Sequence, residues 1–281
     1  MLTRPLAVIG IASILCGRAA TAQLPPRVFL LPPDRPHVDG LPEPLVALTI
    51  KDPWLMAIGS DSPKFALYSN GLVIMERPHA TWQNRYEADS LTSSALDSLV
   101  KALDISPAFF ELNDYYDAVN NCDPDGRCRR VTDLPTYVLY VRQGARSKTV
   151  TVYGLGFDSS SPGPAPVTTI LDRIGTYKAQ DPQPWVPPFV ELMLWPFEYA
   201  RDKTVLWPHT WPSLDDSLTL RRGPEQVSIF LPRSRFPEVV AFLRALRETQ
   251  AVALNEHKWT VSLRYPFAGE AHWVPALLGR E

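Results

Sequence analysis

The sequence predicts an α+β fold in which antiparallel sheets pack against about three helices. Turn chemistry between β-prone runs predicts the strands, and three apolar stripes at helical spacing predict the helices. Each half of the chain carries the order hairpin, helix, hairpin, which raises the reading that the halves are two related ββαββ units.

The strongest strand signal is Asn70-Gly71, set between the apolar runs 65–68 and 72–75. Both turn residues tolerate positive φ, so a two-residue turn is expected, with Leu67 opposite Ile74 and Tyr68 opposite Val73. A helix should start near Ser93, capped by Thr92 and stapled by Leu91 and Leu96, with Leu96, Leu99, Val100 and Leu103 forming its buried stripe. Residues 137–142 and 148–153 read as a second hairpin turning near Gly144. A second helix, opened by Pro166, repeats the stripe with Val167, Ile170, Leu171 and Ile174. In the second half, residues 218–220 and 227–231 flank a turn at Gly223-Pro224. A helix from Pro237 presents Val239, Phe242, Leu243 and Leu246. Val252 and Leu254 then pair across 255–258 with Trp259, Val261, Leu263 and Tyr265.

The ends of the chain read differently. Arg4, an apolar run over 5–16 and Ala20-Thr21-Ala22 follow the order of a secretory signal peptide, and the run is too short to span a bilayer. Cleavage after Ala22 is expected, with a secreted or periplasmic destination. Lipid attachment at Cys16 is the rival, and it is disfavoured because the residue before it, Leu15, is not small. Residues 23–46 hold Pro25, Pro26, Pro32, Pro33, Pro36, Pro42 and Pro44 and read as a proline-rich arm. Residues 47–181 and 182–281 then form an N-terminal and a C-terminal α+β unit, with a proline-rich seam over 182–188.

Bulk composition excludes several classes. The chain is 45% hydrophobic and 21% charged, with a net charge of −2, which are values of a globular protein. No block of lysine and arginine would track phosphates, so a nucleic-acid partner is not expected. After residue 22 no apolar run approaches the length of a membrane helix. Removal of the leader takes Cys16 with it and leaves Cys122 and Cys128 as an even pair. In an oxidising compartment these two should form a disulfide.

The segments Phe65-Ala66-Leu67-Tyr68-Ser69-Asn70-Gly71-Leu72-Val73-Ile74, Thr132-Asp133-Leu134-Pro135-Thr136 and Val152-Tyr153-Gly154 resemble a loose group of secreted bacterial α+β proteins with an F-x-L-Y-x-x-G-x-V-I hairpin and a T-D-x-P-T segment. The resemblance covers residues 60–155. It implies export and an α+β fold, and it supplies no catalytic residues.

Motifs that would name a reaction are missing. The five histidines, His37, His79, His209, His257 and His272, show no helical zinc spacing. Glu270 and His272 could offer two ligands, short of the three or four a metal site needs. There is no Gly-x-Ser-x-Gly elbow and no complete dinucleotide fingerprint. No cofactor and no metal are therefore expected. Asn121, Asp123, Asp125 and Gly126 match the first half of a calcium loop, but its last position is Thr132, and Arg127, Arg129 and Arg130 bring the wrong charge.

Residues 105–135 are longer than an ordinary connection and carry Asp114, Tyr115, Tyr116, Asp117, Asp123, Asp125 and Asp133. Tyr116, Asp117, Asp123 and Asp125 are the first candidates for a binding site. Trp207 and Trp211, in an unpatterned stretch that also holds Trp195, are the second, either as a contact face or as core packing. The sequence thus points to an exported, non-enzymatic binding or scaffold protein whose partner is a glycan or a protein of the envelope or exterior. The alternative is a glycoside-type hydrolase using carboxylates of the 105–135 loop.

Overall fold

A computed structural model describes residues 42–54, 61–77, 85–120, 125–126, 130–157, 163–216, 219–221 and 225–274. It has the expected α+β class, built as two sheets. The first half contributes β1 (Pro44–Lys51), β2 (Phe65–Tyr68), β3 (Leu72–Glu76), β4 (Tyr86–Ser90), α1 (Ser93–Ala102), a 3-10 turn (Pro107–Glu111), β5 (Tyr115–Asp117), β6 (Thr136–Gln143), β7 (Arg146–Tyr153), α2 (Ala165–Thr176) and β8 (Gln183–Trp185). Its sheet runs β5-β7-β6-β1-β2-β3-β4-β8. The second half contributes β9 (Phe189–Pro196), β10 (Val205–Leu206), β11 (Thr219–Arg221), β12 (Val227–Pro232), α3 (Phe236–Ala245), β13 (Val252–Leu254) and β14 (His257–Arg264), in the order β10-β13-β14-β9-β12-β11. Pairing is antiparallel except at two sheet edges, where β5 joins β7 and β10 joins β13 in parallel.

The sheets share a plan but are wired differently. In each, an interior strand, β1 or β9, is flanked by strands from hairpins that lie before and after a helix. In the first sheet the earlier strand of each hairpin, β2 or β6, lies beside β1. In the second sheet the later strand, β12 or β14, lies beside β9. The two halves share the order hairpin, helix, hairpin around one interior strand and differ in connectivity.

Local chemistry places the elements. Thr92 caps α1 by accepting from the Ala95 N–H at 3.3 Å. Pro164 and its neighbours open α2, where a missing N–H costs nothing. The Asn70-Gly71 turn differs from expectation by one residue, since Leu67 pairs with Val73 and Ala66 with Ile74. Only Gly71 takes positive φ, at 84°, so the loop holds three residues and ends in a left-handed glycine. A β-carbon there would also lie 2.4 Å from the Leu91 carbonyl oxygen. By contrast, Asn255 and Glu256 both take positive φ and make a true two-residue turn between β13 and β14. Pro44 opens β1 inside the range expected for the proline-rich arm, at a strand's first residue, where a proline is tolerated.

Helices α1 and α2 cover one face of the first sheet over a core that includes Leu67, Val73, Leu103, Leu139, Val152 and Ile170. Leu103 is fully buried, whereas Leu99 is only partly buried, beside an open cleft between the ends of α1 and α2. Leu103→Ala is therefore expected to cost about 2–4 kcal/mol and Leu99→Ala about half as much. Urea denaturation of the two variants checks this, and equal losses would mean that α1 is rotated from the orientation described.

In the second sheet, α3 covers the face that carries Leu192, Ile229 and Val252. The chain passes from β8 on the first sheet to β9 in the second within the proline-rich seam at 182–188. The packing does not divide there. After β14 the chain crosses to the first sheet, and Tyr265, Phe267 and Trp273 bury the face formed by Ala47, Ala66, Tyr68, Tyr86, Val138 and Tyr140. Tyr68 donates to the Ala268 carbonyl at 3.2 Å, and Thr149 to that of His272 at 2.9 Å. No helix among the described residues is long and apolar enough to cross a membrane.

Candidate functional site

The stretch 105–135 contains regular structure of its own. Phe109, from the 3-10 turn, is buried beneath α2, and three residues later the chain forms β5 at the edge of the first sheet. Asn120 Oδ1 accepts from the Val131 N–H at 2.6 Å, and the Tyr153 hydroxyl donates to the Val131 carbonyl at 2.9 Å. These bonds close the base of the segment that carries Cys122, Asp123 and Cys128. Those three residues, and with them the expected disulfide, lie outside the described residues. Asp125 is described and exposed, next to Gly126.

The tyrosine pair splits across the strand. Tyr116 turns inward against the helix-covered core, and its hydroxyl accepts from the Asn113 N–H at 2.9 Å. Tyr115 turns outward and is 57% exposed. Asp117 shares the outward face. Its carboxylate accepts from the Asn120 N–H at 2.8 Å, from Asn120 Nδ2 at 2.8 Å and from the Val119 N–H at 3.1 Å. Partial burial alone would raise that carboxyl, but the donors from Asn120 and Val119 outweigh it and hold it below its ordinary value. Burial, and then the Asp117 charge beside it, raises the Tyr115 phenol.

The backbone of β5 is the more informative feature. Asp114 O accepts from Thr151 N at 2.8 Å, and Ala118 N donates to Tyr153 O at 3.0 Å. In a parallel ladder those two bonds fix the alternation: Asp114, Tyr116 and Ala118 face β7, so the N–H and C=O groups of Tyr115 and Asp117 point away from the sheet. None of these outward groups is hydrogen-bonded among the described residues. Among the described residues the result is an open edge of two residues bearing one exposed aromatic ring and one carboxylate.

Three acids of this stretch are each engaged separately. Asp114 pairs with Lys148 at 2.6 Å, Asp117 closes its own turn, and Asp133 accepts from Thr132 Oγ1 at 3.2 Å. Trp207 and Trp211 are 8% and 6% exposed. They pack edge to face on each other at 5.2 Å and on Phe242 of α3, with the Trp207 indole donating to the Pro212 carbonyl at 3.0 Å. This places them in the second core and leaves little of either ring to meet a partner. His272 lies in a 3-10 turn and stacks on Tyr140 at 5.0 Å, while Glu270 turns inward to Arg264. Among the described residues no group of three or more His, Cys, Asp or Glu is placed to hold a metal ion.

Sequence reading missed two features. One is Tyr115, because the length and acidity of the segment hid a three-residue edge strand in it. The other is a buried network of Arg264, Glu191, Glu270 and Ser228, whose signal was a lone acid, Glu191, inside the apolar run 189–195. Compared with protein-family models, with curated proteins and with solved structures, the chain has no match.

Proposed function

We propose that this is an exported binding protein that takes an extended segment of a partner polypeptide on the β5 edge. The outward backbone of Tyr115 and Asp117 carries the reading. Two N–H and two C=O groups on an open strand are the template for β-strand addition, and exposed side chains beside them select the partner. Tyr115 offers a ring face, and Asp117 offers a charge that its turn keeps ionised, so a strand presenting an arginine or lysine fits both. Four backbone groups give a small interface, and a weak, reversible affinity is expected. Export rests on the leader-like residues 1–22, with Gln23 as the expected first residue of the secreted chain.

Selection of displayed ten-residue peptides against the purified chain tests the site. Tyr115→Pro removes an outward N–H at an edge position where proline is tolerated. It is expected to weaken selected peptides at least tenfold while moving the thermal midpoint by no more than a few degrees. Asp117→Asn should weaken basic peptides only. Peptides that bind Tyr115→Pro as well as the natural chain would contradict the assignment.

A further inference from the structure

The ends of α1 and α2 share a cleft, and the way each helix stops shapes it. The Leu103 N–H closes the last turn of α1 on the Leu99 carbonyl at 2.9 Å, and Asp104 then takes a left-handed φ of 53° and turns the chain aside. The last turn of α2 closes where the Tyr177 N–H meets the Ile174 carbonyl at 3.1 Å, and the chain leaves it extended. Tyr177 anchors this end. Its ring packs edge to face on Phe65 at 5.9 Å, and its hydroxyl donates to Asp89 of β4 at 3.4 Å. The cleft measures about 440 Å³, within the range of small-molecule sites.

Its lining divides by chemistry. Leu99, Ala102 and Tyr177 give apolar surface, and Leu99 and Tyr177 pack on the core below. Lys101, in the last turn of α1, and Arg173, in the last turn of α2, bring one cation from each helix. Against these two, the described lining sets one acid, Asp104. Asp97 and Asp172, on the same helices, are exposed and do not line the cleft. Among the described residues neither Lys101 nor Arg173 has an ion-pair or side-chain hydrogen-bond partner. The cations of the β6–β7 hairpin are arranged differently, since Arg142, Arg146 and Lys148 each meet a carboxylate.

We propose that this cleft is a second binding site, for a small amphipathic carboxylate whose apolar group lies on Leu99, Ala102 and Tyr177 and whose charge sits between Lys101 and Arg173. The planar fork of Arg173 suits two carboxylate oxygens at once, and Lys101 adds a point charge with little demand on geometry. Two cations against one acid match a monoanion, which favours a carboxylate over a phosphate monoester with its second charge. The cleft is open, so part of the ligand stays wet and a dissociation constant of about 1 mM is expected. Cations in the last turn of a helix also complement its dipole. That role acts on stability alone, so binding measurements separate the two.

Amide shift titration with 3-phenylpropanoate, up to about 10 mM, tests the site. Saturating shifts are expected at residues 99–104 and 173–177. The uncharged 3-phenylpropanamide, and acetate, which lacks the apolar group, should each bind at least about tenfold more weakly. Lys101→Gln and Arg173→Gln should each weaken 3-phenylpropanoate at least threefold and move the thermal midpoint by no more than a few degrees. Ala102→Leu, which fills the cleft with a good helix former, should weaken it as much. N-Acetylphenylalanine distinguishes the sources: tighter binding than 3-phenylpropanoate marks the ligand as the end of a peptide chain, and weaker binding marks it as a free acid. Absence of saturating shifts at the two helix ends with both acids would overturn the proposal. So would an amide that binds as tightly as the acid, or glutamine variants that lower the thermal midpoint and leave binding intact.

Discussion

Replacing Arg264 by methionine is expected to destabilise the protein by about 3–5 kcal/mol at neutral pH, because it removes the guanidinium that donates to two buried carboxylates. Arg264 hydrogen-bonds both Glu191 and Glu270, and it couples β9 and β14 to the segment that covers the first sheet. The loss should shrink as pH falls, since protonation removes the charges that the methionine strands. Replacing all three by apolar residues, Arg264→Met with Glu191→Leu and Glu270→Met, should recover much of the loss, as buried ion groups exchanged together often do. Urea titrations at pH 7 and pH 5 check all of this. A loss below about 1 kcal/mol at both pH values would show that water reaches the network.

Trp211→Ala should cost about 3–5 kcal/mol through the cavity it leaves among Trp207, Phe242 and the face of the second sheet. It also frees the Glu238 carboxylate that accepts from the indole at 3.4 Å, a weak bond at the surface of α3 that adds little. Peptide binding at the β5 edge should be unchanged in this variant. A loss below about 1 kcal/mol in thermal and urea denaturation would return Trp211 to the surface and reopen it as a contact residue.

The parts of the fold that the sequence made legible are those with one-sided patterns. Helices α1, α2 and α3 each bury a single stripe, and the hairpins β6–β7 and β13–β14 carry turn residues between alternating runs. The strands that were not legible are the central ones. In β1, Val46 and Leu48 face the helices while Ala47 and Thr49 face the C-terminal segment, and in β9 Val190 to Leu194 are buried on both sides. Burial on two faces removes the period-two signal; the proline-rich arm took in the first three residues of β1, and β9 begins directly after the proline-rich seam at 182–188. The site followed the same logic. Asp117 was legible as an acid beside two tyrosines in an overlong connection. The partition of Tyr115 outward and Tyr116 inward depends on pairing with β7, a contact made across 36 positions of sequence, as in Tyr115 with Thr151. The ion network likewise joins Glu191 to Arg264 across 73 positions, which no local pattern announces.

Residue-resolved amide exchange across residues 114–118 tests the central claim most directly. In the free protein, the Tyr116 and Ala118 amides, turned to β7, should exchange slowly, while those of Tyr115 and Asp117 exchange at the rate of open chain. Saturation with a peptide selected on the natural chain should slow Tyr115 and Asp117 at least tenfold and leave Tyr116 and Ala118 as they were. Tyr115 and Asp117 amides that are already protected in the free protein, or that stay fast at saturating peptide, would contradict a strand-accepting edge at β5.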